Sequence, residues 1–125
     1  MAASTNVAQP ALFVRPTRRT GLLSWLTTVD HKKLGILYIL SSFAFMGLAS
    51  VEAFIMRLQL MRPGQQLVSP DFFNQMFTMH GVTMVFLAIM PLGIGFANYF
   101  VPLMIGARDL AFPRMNAFGY WVYSL

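Results

Sequence analysis

Cysteine is absent from the 125-residue sequence, and charged side chains are scarce. Without cysteine, the chain can form no disulfide, no zinc–thiolate site and no iron–sulfur cluster of its own. Only 10% of the residues are charged, whereas about a quarter are charged in an ordinary soluble domain. Hydrophobic residues make up 57% of the chain and are gathered into long runs. The composition therefore predicts a membrane protein.

The basic residues do not form the interleaved surface that binds nucleic acid. The net charge is +5, but Lys and Arg lie at the ends of the apolar runs, where such residues anchor a chain to lipid headgroups and set its orientation. The expected partner of this charge is therefore a lipid membrane, and no nucleic acid is expected. The positive-inside rule places the N-terminus and the 103–114 loop on the cytoplasmic side.

The first 33 residues precede the membrane spans. Residues 1–20 are polar, with three arginines and no acid, and lack an apolar core before a cleavage site, so they do not resemble a secretory signal. We expect a disordered basic N-terminal tail, with a mitochondrial transit peptide as the alternative. Residues 21–33 predict an interfacial amphipathic segment with Trp25 at headgroup level. His31 is interpreted as an interfacial polar residue.

Two apolar runs are long enough to cross a bilayer as helices, since a helix rises about 1.5 Å per residue and the hydrocarbon core is about 30 Å thick. The predicted spans are residues 34–56 and 74–102. A third apolar run, 115–125, is too short to span, and Pro91 is predicted to kink the second span. The predicted fold class is all-α, a multi-pass bundle of transmembrane helices.

A single histidine, His80, lies within the second span. An imidazole at membrane depth requires a helix partner, a metal or a cofactor. On an unbroken α-helix, one face carries Phe77, His80, Met84, Leu87 and Pro91. Gly81 lies beside His80, and this arrangement suits an axial haem ligand. The alternative is a histidine that hydrogen-bonds a neighbouring helix, and residue chemistry alone leaves both open.

Two further groups of polar residues are candidates for function. Asn98, Asp109 and Asn116 lie around the loop between the second and third runs, where they can converge at the mouth of a proton route; the alternative is a solvated Asp109 paired with a neighbouring arginine. At the far end of the first span, Glu52 and Arg57 predict either an ion pair at the membrane border or an Arg57 directed at a carbonyl or anionic group of a ligand.

Four sequence blocks together resemble subunit I of the haem–copper terminal oxidases, the aa3-type cytochrome oxidase group. The resemblance covers residues 22–125 without a large gap. The blocks are Trp25–Gly35 (WLTTVDHKKLG), Phe77–Gly81 (FTMHG), Asn98–Ala107 (NYFVPLMIGA) and Asp109–Asn116 (DLAFPRMN).

The resemblance implies a role for each candidate residue. His80 matches the axial ligand to the iron of low-spin haem a, and Arg57 matches the arginine that hydrogen-bonds the formyl group of that haem. Asp109 matches the acid at the mouth of the D proton pathway, and Asn98 and Asn116 match the amides just inside it.

Two departures limit what is carried over from the family. Gln59 stands where many members have a glutamate that helps to bind a structural cation, and Ala117 stands where many have a second asparagine. The family's copper ligands lie beyond residue 125, as do the residues that hold haem a3 and CuB in the full-length subunit. The resemblance therefore implies an N-terminal fragment that is not active alone.

The resemblance implies that the full-length protein is a proton-pumping cytochrome c oxidase of the respiratory chain. It would pass electrons from cytochrome c through haem a to a haem–copper centre, reduce O2 to water, and assemble with subunits II and III. A bacterial plasma membrane is favoured over a mitochondrial inner membrane. The alternatives are a quinol oxidase subunit I of the same superfamily, or a cofactor-free membrane transporter or assembly subunit.

Overall fold

The computed structural model describes residues 21–125, and every regular element in this range is helical. The predicted tail, residues 1–20, lies outside the described residues. The elements are α1 (Leu23–Leu26), α2 (His31–Gln59), α3 (Pro70–Val82), a π-helical segment (Thr83–Ile89), α4 (Met90–Met104) and α5 (Pro113–Ser124). Because α3, the π segment and α4 are continuous, they form one helix of 35 residues, Pro70–Met104.

Two helices have the length and apolarity of membrane spans. His31–Gln59 and Pro70–Met104 each reach a mean hydropathy of 1.9 over their most apolar stretch. Most residues of these two stretches are not buried by the rest of the described chain. Apolar side chains that are not covered by the chain itself must face lipid or further protein. The helices extend beyond the predicted spans 34–56 and 74–102, and α5 begins two residues before the predicted third run.

The N-terminal end of α2 is fixed by local side-chain bonds. Asp30 caps α2, because its carboxylate accepts the Lys32 amide at 3.0 Å. The Lys33 ammonium donates to the backbone and hydroxyl oxygens of Ser24, both at 3.3 Å, and lies 5.6 Å from the centre of the Trp25 ring. These contacts attach the short helix α1 to the start of the first span.

Helices α2 and α4 cross in contact at two glycines. A Cβ added to Gly35 would lie 2.9 Å from the Gly95 oxygen, and a Cβ added to Gly95 would lie 3.0 Å from the Gly35 oxygen. Small residues at such a crossing let two backbones approach, as they do between membrane helices generally. The crossing brings Tyr99 against Gly35, with 3.0 Å between the Tyr99 Cβ and the added Cβ.

Helix α5 packs on α2 through an aromatic cluster. Leu34, Tyr38 and Tyr120 form its buried core. The Tyr38 and Tyr120 rings meet edge to face with centroids 5.0 Å apart, and the Tyr120 hydroxyl bonds the Ser41 hydroxyl at 2.9 Å. Both buried tyrosines thus contribute apolar area, and the hydroxyl of Tyr120 is satisfied by Ser41.

A side-chain clamp shapes the connection between α2 and α3. The Gln59 Nε2 donates to the Gln65 carbonyl oxygen at 2.7 Å, and its Oε1 accepts the amides of Leu67 at 2.7 Å and Val68 at 3.0 Å. The loop then leads into Ser69, which caps α3 by accepting the Phe72 amide at 3.3 Å. One carboxamide therefore fixes the loop that returns the chain to the membrane.

Candidate functional site

His80 lies near the end of α3, against α2. Its Nδ1 lies 2.9 Å from the carbonyl oxygen of Ala49, a fully buried residue of α2. A carbonyl can only accept, so Nδ1 carries the proton and donates, and this leaves the lone pair on Nε2. Metal-bound histidines commonly donate their second ring nitrogen to a backbone carbonyl in this way.

The surroundings of His80 leave room for a flat ligand. A Cβ added to Gly81 would meet no heavy atom within 4 Å among the described residues. Phe77, one turn before His80, is 67% exposed, so its ring is available to pack on a group outside the described chain. The residues therefore fit a haem held through Nε2 of His80, because the ring's tautomer is set and the adjacent surface is open and apolar.

Among residues 21–125, the structure gives the side chain of Arg57 no hydrogen-bond or ion-pair partner. Its side chain is exposed near the C-terminal end of α2, and the ion contacts found in residues 21–125 all involve His31. Glu52 therefore does not pair with Arg57, which was one of the two predicted arrangements. The Glu52 Oε2 is buried without a hydrogen-bond partner among the described residues. The guanidinium of Arg57 is thus available to a ligand or to further protein.

Asn98 and Asn116 are brought together between α4 and α5. The Asn98 Nδ2 donates to the Asn116 Oδ1 at 2.9 Å. The Nδ2 of Asn116 is buried without a partner among the described residues. The two amides therefore form a polar contact between two apolar helices, at the end of α4 nearest the 103–114 loop.

Asp109 lies in that loop but does not bond the asparagine pair. Its Oδ1 is 3.2 Å from the Nδ1 of His31, and its side chain is 44% exposed. The same carboxylate oxygen accepts the Leu110 amide at 2.8 Å. Asp109 is therefore half-solvated and held by a residue from the start of the first span, and it does not pair with a neighbouring arginine.

His31 is the residue whose place the sequence did not reveal. It was interpreted as an interfacial polar residue, yet it is only 3% exposed and contacts Asp109 across 78 positions of sequence. Its Nε2 is buried without a partner among the described residues. The available signal was topological: the start of the first span and the 103–114 loop were both predicted on the cytoplasmic side.

A family comparison covers most of this chain. The family described as "Cytochrome C and Quinol oxidase polypeptide I" matches residues 33–125. That range includes His80, Arg57, Asn98, Asp109 and Asn116.

Individual bacterial proteins give the same result. A probable cytochrome c oxidase subunit 1-alpha of Streptomyces avermitilis is 53% identical over 102 residues, 82% of this chain and 18% of the relative. Cytochrome c oxidase subunit 1 of Corynebacterium efficiens is 53% identical over 109 residues, 86% of this chain and 19% of the relative. That of Alkalihalophilus pseudofirmus is 52% identical over 99 residues, 79% of this chain and 16% of the relative.

Each match covers most of this chain but only a small part of the relative. The chain spans about a fifth of the length of the curated relatives it matches. The relatives are bacterial, and two helices are long and apolar enough to cross a bilayer, as the predicted multi-pass bacterial membrane protein requires. With a family match over residues 33–125 and an all-helical fold in residues 21–125, the chain belongs to the cytochrome c and quinol oxidase polypeptide I family of membrane proteins.

Proposed function

We propose that this chain supplies part of the catalytic subunit of a proton-pumping cytochrome c oxidase. The complete enzyme passes electrons from cytochrome c through low-spin haem a to a centre of haem a3 and CuB, and reduces O2 to water. The family match and the relatives' printed names support this proposal. The copper ligands and the second haem would come from the remaining four-fifths of the subunit, and subunits II and III would complete the complex.

The observation that carries the proposal is the hydrogen bond between His80 and Ala49. With Nδ1 donating to a buried carbonyl at 2.9 Å, Nε2 is the nitrogen that would hold the haem iron. The bond fixes the ring's rotation and increases its basicity as a ligand. When bound, the haem supplies a one-electron carrier at membrane depth, and the chain's contribution is to orient its ligand and exclude water.

Arg57 is proposed to bind the formyl group of haem a. It is the one basic residue within α2 beyond the first turn, and no carboxylate of the described chain neutralises it. A guanidinium that donates to a conjugated carbonyl withdraws electron density from the ring and thereby raises its reduction potential. Its role would be to tune the electron carrier, while His80 holds it.

Proton delivery is proposed to begin at Asp109 and to continue past Asn98 and Asn116. The Asp109 carboxylate is half-exposed, so it can exchange protons with water on its side of the membrane. The asparagine pair provides amide donors and acceptors that would order water in an otherwise apolar helix interface. His31 would hold the Asp109 carboxylate at the mouth of this route.

A quinol oxidase of the same family is the second candidate, because the matching family's description names both cytochrome c and quinol oxidases. Steady-state assays of the purified full-length oxidase with reduced cytochrome c and with a soluble quinol distinguish them. Rapid oxidation of cytochrome c is expected. Oxidation of quinol alone would replace the proposed electron donor and leave the other assignments in place.

The first test of the function is His80→Ala in the full-length oxidase. Because an alanine provides no ligand, we expect loss of the low-spin haem band in the reduced-minus-oxidised spectrum and loss of electron transfer by several orders of magnitude. Met79→Leu, an apolar change at the exposed residue directly before His80, is the matched control and should keep the band. An unchanged spectrum in His80→Ala would refute the ligand assignment, and no Soret absorption in the wild type would favour a cofactor-free membrane protein.

A further inference from the structure

The helix that carries both His80 and Asn98 is interrupted between them by the π segment. At its end the Met90 amide donates to the carbonyl oxygen of Val85, five residues back instead of four. The buried positions follow the same wider period, because Thr83 and Ala88 are both buried and lie five apart. A π turn of this kind accommodates one extra residue, which shifts the angular position of all later residues by about 100°.

This shift decides which residues of α4 face α2. Asn98 follows His80 by 18 residues, which is about five whole turns of an unbroken α-helix, so both side chains would lie on one face. In an unbroken helix, Asn98 would lie against α2. In the structure the residue that lies against Gly35 of α2 is Tyr99. The extra residue of the π segment accounts for this change from Asn98 to Tyr99.

The two candidate sites consequently face different neighbours. His80 bonds Ala49 of α2, whereas Asn98 bonds Asn116 of α5. Without the extra residue, Asn98 would be directed at α2 and away from its partner. The rotation at the π segment is thus what separates the proposed haem ligand from the proposed proton route on one continuous helix.

A tyrosine from α5 bonds the π segment at the point where the backbone is left incomplete. Pro91 has no N–H, so the carbonyl of Leu87, four residues earlier, lacks its usual α-helical donor. The Tyr123 hydroxyl donates to this oxygen at 2.9 Å. The Tyr123 ring is stacked on Tyr38 with centroids 5.5 Å apart, so the hydroxyl is held in place by packing.

We propose that Tyr123 is a positioning residue that holds the π segment and so sets the rotation of α4 relative to α3. It acts through the Leu87 carbonyl and aligns the Asn98 end of the helix with α5 while His80 remains against α2. The functional meaning of this alignment rests on the proposed oxidase function. The stabilisation of the π segment itself does not, and the two parts are tested separately.

The first measurement is amide hydrogen exchange in the intact full-length oxidase carrying Tyr123→Phe. The substitution keeps the ring and removes only the hydroxyl that bonds Leu87. We expect peptides covering residues 83–92 to exchange roughly two- to tenfold faster, the factor that corresponds to one lost hydrogen bond. Tyr120→Phe is the matched control, because it removes a hydroxyl that bonds Ser41 on α2 and should leave exchange in residues 83–92 unchanged.

The second measurement is made on the same variants and reports on the two sites. The electron paramagnetic resonance signal of an oxidised low-spin haem depends on the orientation of its axial imidazole, and stopped-flow proton uptake reports on the Asn98 end. We expect Tyr123→Phe to slow proton uptake severalfold while the haem signal stays as in the wild type, because His80 remains bonded to Ala49, and Tyr120→Phe to change neither.

Two results would overturn the inference. Unaltered exchange in Tyr123→Phe would show that the hydroxyl does not hold the π segment. Faster exchange with a wild-type haem signal and wild-type proton uptake would show a purely structural bond. If the wild-type oxidase lacks a low-spin haem signal, the proposed function fails instead, and the exchange experiment still decides whether Tyr123 holds the π segment.

Discussion

At the scale of single residues, two histidines each contact an oxygen atom on a distant part of the chain. His80 donates to the Ala49 carbonyl, 31 positions away, and His31 lies against the Asp109 carboxylate, 78 positions away. Each contact fixes the ring nitrogen involved, and so decides which nitrogen remains available. In the proposed function, the first contact would orient the haem ligand His80, and the second would orient the carboxylate of Asp109.

The role of His31 can be tested by changing its hydrogen bonding at similar volume. In the full-length oxidase, His31→Leu removes the contact with Asp109, so we expect proton uptake to slow severalfold while the low-spin haem spectrum is unchanged. His31→Asn keeps a donor and should recover part of the rate. The measurement is stopped-flow proton uptake, and equal rates in wild type and His31→Leu would show that Asp109 needs no such support.

At the scale of helices, the crossing of α2 and α4 leaves no room for a side chain. A Cβ at Gly95 would lie 2.9 Å from the Ile39 side chain and 3.0 Å from both the Gly35 oxygen and the Tyr38 Cβ. Two of these three atoms belong to the backbone or its first side-chain carbon, so they cannot move without moving α2. The helices can relieve the contact only by separating.

Gly95→Ala is therefore expected to destabilise the protein by about 1–3 kcal/mol, the usual cost of overpacking. Thermal unfolding of the full-length oxidase, followed by loss of its haem absorbance, gives the measurement. Gly93→Ala is the control on the same helix, since a Cβ there meets no heavy atom within 4 Å. Equal stabilities for the two variants would contradict the close crossing.

The sequence predicted the helices well and their internal rotation poorly. Apolar run length indicates a span because the bilayer thickness fixes how many residues a helix needs. It carries no information on a π turn, so the face Phe77, His80, Met84 was expected to continue unbroken to Pro91, predicted only as a kink. The bond from Tyr123 to Leu87 joins residues 36 positions apart, which no local pattern encodes.

The same distinction applies to the candidate site. Asn98 and Asn116 were expected to converge because short loops place consecutive helices side by side, and they do lie in contact. The pairing of Asp109 with His31 depended on how the first span packs against the 103–114 loop. That packing is a property of the tertiary structure, and composition and spacing do not contain it.

At the scale of the whole molecule, the proposed haem ligand His80 and the proposed proton-route residue Asn98 lie on separate faces of one helix. They should therefore respond independently to substitution. In the full-length oxidase, Asp109→Asn is expected to lower turnover and proton pumping by at least tenfold, because an amide cannot accept and release protons, while the low-spin haem spectrum stays as in the wild type.

The measurements are oxygen consumption and proton release by the enzyme in lipid vesicles. Asp71→Asn, at an exposed acid in the first turn of α3, is the matched control and should keep both activities. Full turnover and pumping in Asp109→Asn would remove Asp109 from the proton route and leave the haem assignment unaffected.

The clamp formed by Gln59 has a consequence for the chemical ageing of the protein. Its contacts use one amide nitrogen as donor and one amide oxygen as acceptor, and neither group titrates, so the loop keeps its shape over a wide pH range without a counter-ion. Spontaneous deamidation of Gln59 would exchange the donor for a carboxylate oxygen facing the Gln65 carbonyl. Two acceptors would then repel each other, and an aged molecule would need a bound cation to keep this loop closed.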